Sequence, residues 1–193
     1  MTNAAQNLLI VSGASGSGKT TIIERMRKHP QVRVSINVTT RPPRDGEQDG
    51  RDYTFVSRER FEQMKTEGLF VETNDVFTNG TLYGSLKSDL DAALGRADEL
   101  YIMEVDVVGA RNIRDAGYEG LHVFITAPSP EVLAKRLRER GTDDEAAIAK
   151  RLGRAAEERA LADQVSATIV ENDVVEHAVE RILERVGLSA LPS

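Results

Sequence analysis

Apolar residues come in short runs along this chain, and each run is followed by a stretch with helical spacing. The first run, LLIV within Asn7–Ser12, predicts a strand, and Lys19 to about His29 reads as a helix stopped by Pro30. Three further runs, Leu100–Val105, Leu121–Ile125 and Ala167–Val170, precede the helical segments Val107–Ala116, Ser129–Arg140 and Val174–Val186. Strands alternating with helices imply parallel βαβ units and a doubly wound α/β sheet. Ser129 is placed to cap its helix, with Pro130 at the first helical position and Gly141 beyond the last turn.

The stretch from about Val34 to Ala97 breaks this rhythm. It holds a loop rich in proline, glycine and charge (TTRPPRDGEQDGRD), short strands, and a helix at Arg58–Thr66 capped by Ser57. It reads as an inserted lobe carrying a second site. The expected organisation is one domain over residues 7–187, with a core of 7–33 and 98–187, a lobe at 34–97 and a flexible N-terminus at 1–6. Gly141–Glu145 joins two helices of an arginine-rich stretch, which forms a helical lid over about 136–154.

Composition narrows the chemistry. With 193 residues and 40% hydrophobic content the chain can bury a core without disulfides, and it has no cysteine. Disulfides, thiolate zinc sites and a cysteine nucleophile are therefore excluded, which fits a reducing cytoplasm. MTNAAQN resembles neither a signal peptide nor a membrane anchor. The net charge of −6 argues against a broad nucleic-acid surface. Arginine nevertheless supplies 19 of the 25 cations, and seven cations face four acids between Lys135 and Arg154. An acidic chain with a local arginine cluster suits a small polyanionic ligand.

The segment Gly13, Ala14, Ser15, Gly16, Ser17, Gly18, Lys19, Thr20 satisfies G-x-x-x-x-G-K-[ST] and lies between a predicted strand and a predicted helix. In such a loop successive backbone N–H groups converge on phosphates and the helix N-terminus adds partial positive charge. Lys19 reaches the β- and γ-phosphates, and the Thr20 hydroxyl faces Mg²⁺. The loop implies a P-loop NTPase fold but leaves open ATPases, GTPases and small-molecule kinases. Arg41, Arg44 and Tyr53, further on, suit a second phosphate clamp.

Taken together, GASGSGKT, TTRPPRDGEQDGRDYTFV, FVETNDVF, GTLYGS, YIMEVDVVGA, RLRERGTDDEAAIAKRL and IVEND closely resemble the guanylate kinase family, in order, from about Leu8 to Val186. The resemblance implies transfer of phosphate from ATP, with Mg²⁺, to GMP and dGMP, in the cytoplasm. It places the GMP phosphate on Asn37, Arg41, Arg44, Tyr53 and Tyr83, and the guanine on Glu72, Ser85 and Asp106. It makes Lys19, Arg41 and the lid arginines Arg136, Arg140 and Arg151 catalytic, and sets Asn172 near the adenine of ATP. Arg138 and Arg154 have no match and read as surface residues.

The assignment is chemically sensible. Guanine offers two adjacent donors that a carboxylate accepts together, whereas adenine would leave a buried carboxylate unpaired. Three departures stand out: Asn37 where the family has serine, Asp106-Val107-Val108-Gly109 where it has D-x-Q-G, and GTLYG where it has G-N-Y-Y-G, after a turn lengthened by FTNG. Two other readings compete. A peptide-binding scaffold of this kind typically loses the functional loop, but Lys19 and Thr20 are retained. A related kinase with a shifted acceptor is opposed by Glu72, Ser85 and Asp106.

Overall fold

The computed structural model describes residues 7–75, 80–96, 98–141, 144–165 and 167–189. The expected flexible segment 1–6 and most of the lengthened turn before Gly80 lie outside them. The central sheet has five parallel strands in the order β2 (Val32–Val34), β7 (Leu100–Glu104), β1 (Leu8–Gly13), β8 (Leu121–Thr126) and β9 (Thr168–Glu171). Because β1 is central and its apolar side chains alternate, it feeds two cores. Leu9 and Val11 pack with Ile22, Ile23 and Met26 of α1 (Lys19–Met26) and with Val179 and Ile182 of α7 (Val175–Arg185). Leu8 and Ile10 pack on the other face with Ala110 and Ile113 of α4 (Val107–Asp115).

Helix α1 stops at Met26, three residues short of the predicted end. The N–H groups of Lys28 and His29 turn back to Arg25 and Met26, because the residue before Pro30 is disfavoured in the helical conformation. The helices expected at Arg58–Thr66, Val107–Ala116, Ser129–Arg140 and Val174–Val186 form within one residue of those bounds. Ser129 accepts the Val132 N–H to cap α5 (Pro130–Glu139), and Ser57 accepts the Arg60 N–H to cap α2 (Arg58–Thr66). Helix α6 (Glu145–Gln164) is the longest, and its first turn is capped by Asp144.

The inserted segment forms a second sheet in the order β4 (Thr54–Phe55), β3 (Val38–Thr39), β6 (Leu82–Leu86) and β5 (Phe70–Asp75). Helix α2 covers it through Phe61 and Met64, with the Phe61 and Phe70 rings stacked at 4.7 Å. Helix α3 (Lys87–Leu94) follows, but its Leu90 is buried with Leu8, Ile10 and Met103. It thus packs on the central sheet rather than on the inserted one, because its one fully buried residue meets the apolar face of β1 and β7. Among the described residues no helix is long and apolar enough to cross a membrane.

Candidate functional site

The carboxyl ends of β1, β7 and β9 converge on one edge, where ligands of open α/β sheets bind. Strand β1 ends at Gly13, whose φ is 147° and where a Cβ would collide with the Ile125 carbonyl oxygen of β8. The loop therefore starts in close contact with its neighbouring strand, which only glycine permits. The Ser17 N–H donates to the Ala14 carbonyl at 3.1 Å, curling the loop into a concavity before Gly18 (φ 93°) caps α1. Lys19 Nζ donates to the Gly13 and Ala14 carbonyls at 2.5 and 3.1 Å. Its ammonium is held below its ordinary value by burial, against the opposing pull of Glu104, Glu158 and Asp106. Thr20 is exposed at the first turn.

Asn172 and Arg136 lie behind the loop. Asn172 is 2% exposed; its Nδ2 donates to the Ser17 carbonyl at 2.8 Å, and its N–H to Thr126 at 2.8 Å. Arg136 donates to the Asn172 and Ser17 carbonyls at 2.9 and 3.4 Å. Both residues thus brace the loop's rear.

The inserted sheet supplies the opposite wall. The β5–β6 register sets Glu72 beside Ser85 and Asn74 beside Tyr83, all on one face by the period of two. Ser85 Oγ donates to Glu72 Oε1 at 2.7 Å and to Asn37 Oδ1 at 3.2 Å. Asn37 Nδ2 donates in turn to the Glu104 carbonyl at 2.9 Å. Burial pushes the Glu72 carboxyl up to about 7, despite the Ser85 bond. Asp106 caps α4 by accepting the Gly109 N–H at 2.7 Å, and its second oxygen accepts from Asn74 Nδ2. Val108, where the family has glutamine, is exposed on the first turn of α4.

Of the clamp residues, Arg41, Tyr53 and Tyr83 meet and Arg44 stays outside. Arg41 Nε donates to Tyr83 Oη at 3.3 Å and its guanidinium lies 5.1 Å from the Tyr53 ring centre. The end of its fork is taken by Glu47, in two bonds of 2.7 and 2.9 Å. Arg44 is exposed, with its backbone N–H donating to Glu47 at 2.8 Å. Burial pushes the Tyr53 phenol up to about 12, so it remains a donor at neutral pH.

Helix α6 closes the third side. Arg151 donates to Ser15 Oγ at 3.0 Å, and Arg154 Nε donates to Glu158 at 2.9 Å. Arg154, read from its missing match as a surface residue, is partly exposed but also lines the cavity. Positions 151, 154 and 158 share the inward face of the helix, and all three line the cavity. Arg138 is exposed and paired with Glu145, as a surface residue should be, while Arg140 is exposed at the end of α5. The resulting cavity, about 260 Å³, runs from Gly13, Ser15 and Lys19 to Asn37, Tyr53, Glu72 and Tyr83.

Four participants escape a motif-based reading: Glu47, Asn74, Glu104 and Glu158. Period-two spacing from Glu72 could have flagged Asn74. Glu104 ends the strand beside the loop strand, with Val11 its register partner, and burial raises its carboxyl while Lys19 opposes the shift. Glu47 and Glu158 had no signal beyond being acids near arginines.

The chain is similar to known proteins over nearly its whole length. The family model described as guanylate kinase matches residues 5–187. A guanylate kinase of Gloeobacter violaceus is 43% identical over 190 residues, covering 96% of this chain and 88% of that protein. One from a Nostoc species is 42% identical over 178 residues, covering 91% and 86%. The crystal structure of guanylate kinase from Anaplasma phagocytophilum superimposes with a TM-score of 0.74 at 25% identity, covering 99% of this chain and 89% of that one.

Proposed function

The chain belongs to the guanylate kinase family, and from that premise we propose that it transfers the γ-phosphate of ATP to GMP or dGMP, giving ADP and GDP, in the cytoplasm. The observation that supports this best is a single cavity lined by Gly13, Ser15 and Lys19 of the phosphate loop and, opposite, by Tyr53, Tyr83, Glu72 and Asp106, with Arg41 bonded to Tyr83 and Ser85 to Glu72. Two anions can be held there head to head, one by backbone N–H groups and one by side chains.

Phosphoryl transfer asks little covalent chemistry of a protein, so position and charge dominate and no general base is needed. The loop N–H groups and Lys19 hold the ATP phosphates, while Arg151 waits beside the loop at Ser15. Asn172 and Arg136 serve ATP indirectly, by fixing the loop's shape. On the acceptor side Arg41, Asn37, Tyr53 and Tyr83 hold the GMP phosphate, and Arg44 joins them by turning inward from its exposed loop when the nucleotide binds. Glu72 and Asp106 accept from guanine, and Ser85 serves its O6. Movement of the α5–α6 lid brings Arg140 and Arg151 over the phosphates and shuts out water, which would otherwise compete as acceptor.

Mg²⁺ takes hard oxygen ligands and is usually held by one or two side chains plus substrate phosphates. The Thr20 hydroxyl and the half-buried Glu104 carboxylate fit that requirement, and both lie at the loop edge. When bound, the ion neutralises charge on the β- and γ-phosphates.

The test is ADP release with ATP and Mg²⁺ against GMP, dGMP, AMP, CMP and UMP. Strong turnover with the first two and little with the rest is expected. Comparable rates with AMP would overturn the assignment of Glu72, Ser85 and Asp106 to guanine.

A further inference from the structure

Strand β5 sends two side chains into the cavity. Glu72 and Asn74 are two positions apart, roughly 7 Å along a strand, so they stand side by side on one wall. Glu72 ends against Ser85, and Asn74 ends against Asp106. An ionised carboxylate only accepts, so the nitrogen of the Asn74 amide is the atom that faces Asp106. Asn74 Oδ1 is then free of any donor among the described residues. Asp106 is held at both oxygens, by Gly109 N–H at the start of α4 and by Asn74 from the inserted sheet. Asn74 therefore spans the seam between sheet and core, beside the two carboxylates assigned to guanine.

We propose that Asn74 is a specificity-determining residue of the acceptor-base site, aiming the Asp106 carboxylate and offering its own amide oxygen to the exocyclic amino group of a 2-aminopurine. The inference rests on the reading of Glu72 and Asp106 as guanine contacts. An amide suits the place for a physical reason. A third carboxylate there would repel Glu72 and Asp106, and an apolar residue would leave Asp106 without its donor. Asn74 supplies one donor and one acceptor with no charge. The acceptor is left for an N–H of the base, and a purine without the amino group leaves it unpaired. Discrimination by an unmet polar group is stronger than discrimination by shape alone.

The experiment compares the full chain with Asn74→Ala, Asn74→Asp and Glu72→Gln. The acceptors are GMP and inosine monophosphate, which lacks the 2-amino group. Asn74→Ala should raise the GMP KM about tenfold while moving the inosine nucleotide's KM little, so the preference between them narrows about tenfold. The ATP KM and the melting midpoint should stay put. Asn74→Asp fills the same space but exchanges the donor for a charge, and should raise the GMP KM at least as far. Should the alanine variant melt early, the GMP-to-inosine ratio of the isosteric aspartate variant decides. Equal shifts for both acceptors, or none, with Glu72→Gln still raising the GMP KM, would overturn the role of Asn74. A GMP KM unmoved in Glu72→Gln as well would instead remove the base-reading assignment on which the proposal rests.

Discussion

The phosphate loop and the inserted sheet face each other across one cavity, yet they are built from different material. The loop presents backbone N–H groups, and its shape is set by glycines at Gly13 and Gly18 and by Asn172 and Arg136 bonding to carbonyls behind it. The acceptor wall presents side chains, and several already have protein partners: Arg41 has Glu47, Glu72 has Ser85, and Asp106 has Gly109 and Asn74. Apart from the Ser17 N–H, which donates to Ala14, the loop's backbone donors are ordered before the ligand arrives and are left for it. Side-chain groups in a half-buried wall must be satisfied when empty, because an unmet polar group costs about 1–3 kcal/mol. The acceptor must therefore exchange bonds or join them, whereas the donor need only fill a concavity. Changes to the loop should therefore act mainly on rate, and changes to the wall mainly on acceptor KM.

Lys19→Ala is the strongest test of that division. It removes the only cationic side chain that the loop segment Gly13–Thr20 itself carries, and kcat should fall on the order of 10³-fold. GMP affinity measured by titration should scarcely change. The melting midpoint should not fall either, since a desolvated ammonium goes with the side chain. A GMP affinity that collapsed along with kcat would show the two halves to be one unit.

Glu72 tests the other half through pH. Its carboxyl is raised by burial from 4.5 to about 7. The charged form is thus the disfavoured one: its burial cost is absent below 4.5 and fully felt above about 7, so through this group the free protein loses stability as pH rises. Guanine donors need the ionised form. The GMP KM should accordingly rise as pH falls below about 7, by up to tenfold per unit. Glu72→Gln should raise that KM about 100-fold at pH 8 and leave only the titration of the GMP phosphate, near roughly pH 6. A variant profile of unchanged shape would exclude Glu72 from base recognition.

The same contrast explains what could be read from the chain itself. The loop is local: eight consecutive residues carry it, and strand before and helix after are required by the pattern, so Gly13–Thr20 fell into place. Helix caps at Ser57 and Ser129 were equally local. The wall depends on registers and seams between segments far apart in sequence. Nothing in TTRPPRDGEQDGRD says that Glu47 folds back onto Arg41 while Arg44 points outward. Nothing local says that α3, after the inserted strands, returns Leu90 to the central core. The place of Arg154 depends on α6 running beyond the lid and across the cavity, which its spacing from Arg151 does not orient.

Glu47 gives a smaller and sharper comparison. It binds the end of the Arg41 fork and leaves the Nε edge turned to Tyr83. If its task is to aim that edge at a phosphate, Glu47→Ala should raise the GMP KM about tenfold and leave the ATP KM alone. Added to Arg41→Ala, it should cost almost nothing more, since a residue acting through another has no separate effect. Additive losses in the double variant would give Glu47 a contact of its own.

Asn172→Ala should have the smallest effect, and it asks whether the loop's order is intrinsic. Its amide is one of two groups on the Ser17 carbonyl, the other being Arg136 at 3.4 Å. Removing it leaves that carbonyl with the longer bond alone and opens space beside Gly18, which the Asn172 side chain now fills. A lost hydrogen bond of this kind is worth about 1 kcal/mol. If the loop needs the brace, the ATP KM should rise a few-fold while the GMP KM stays fixed, and Asn172→Asp should be worse, because a carboxylate would face the carbonyl oxygen with no proton to offer. If glycines and helix start suffice, only the melting midpoint should move. Order supplied by the chain's own backbone would then account for the whole difference between the two walls.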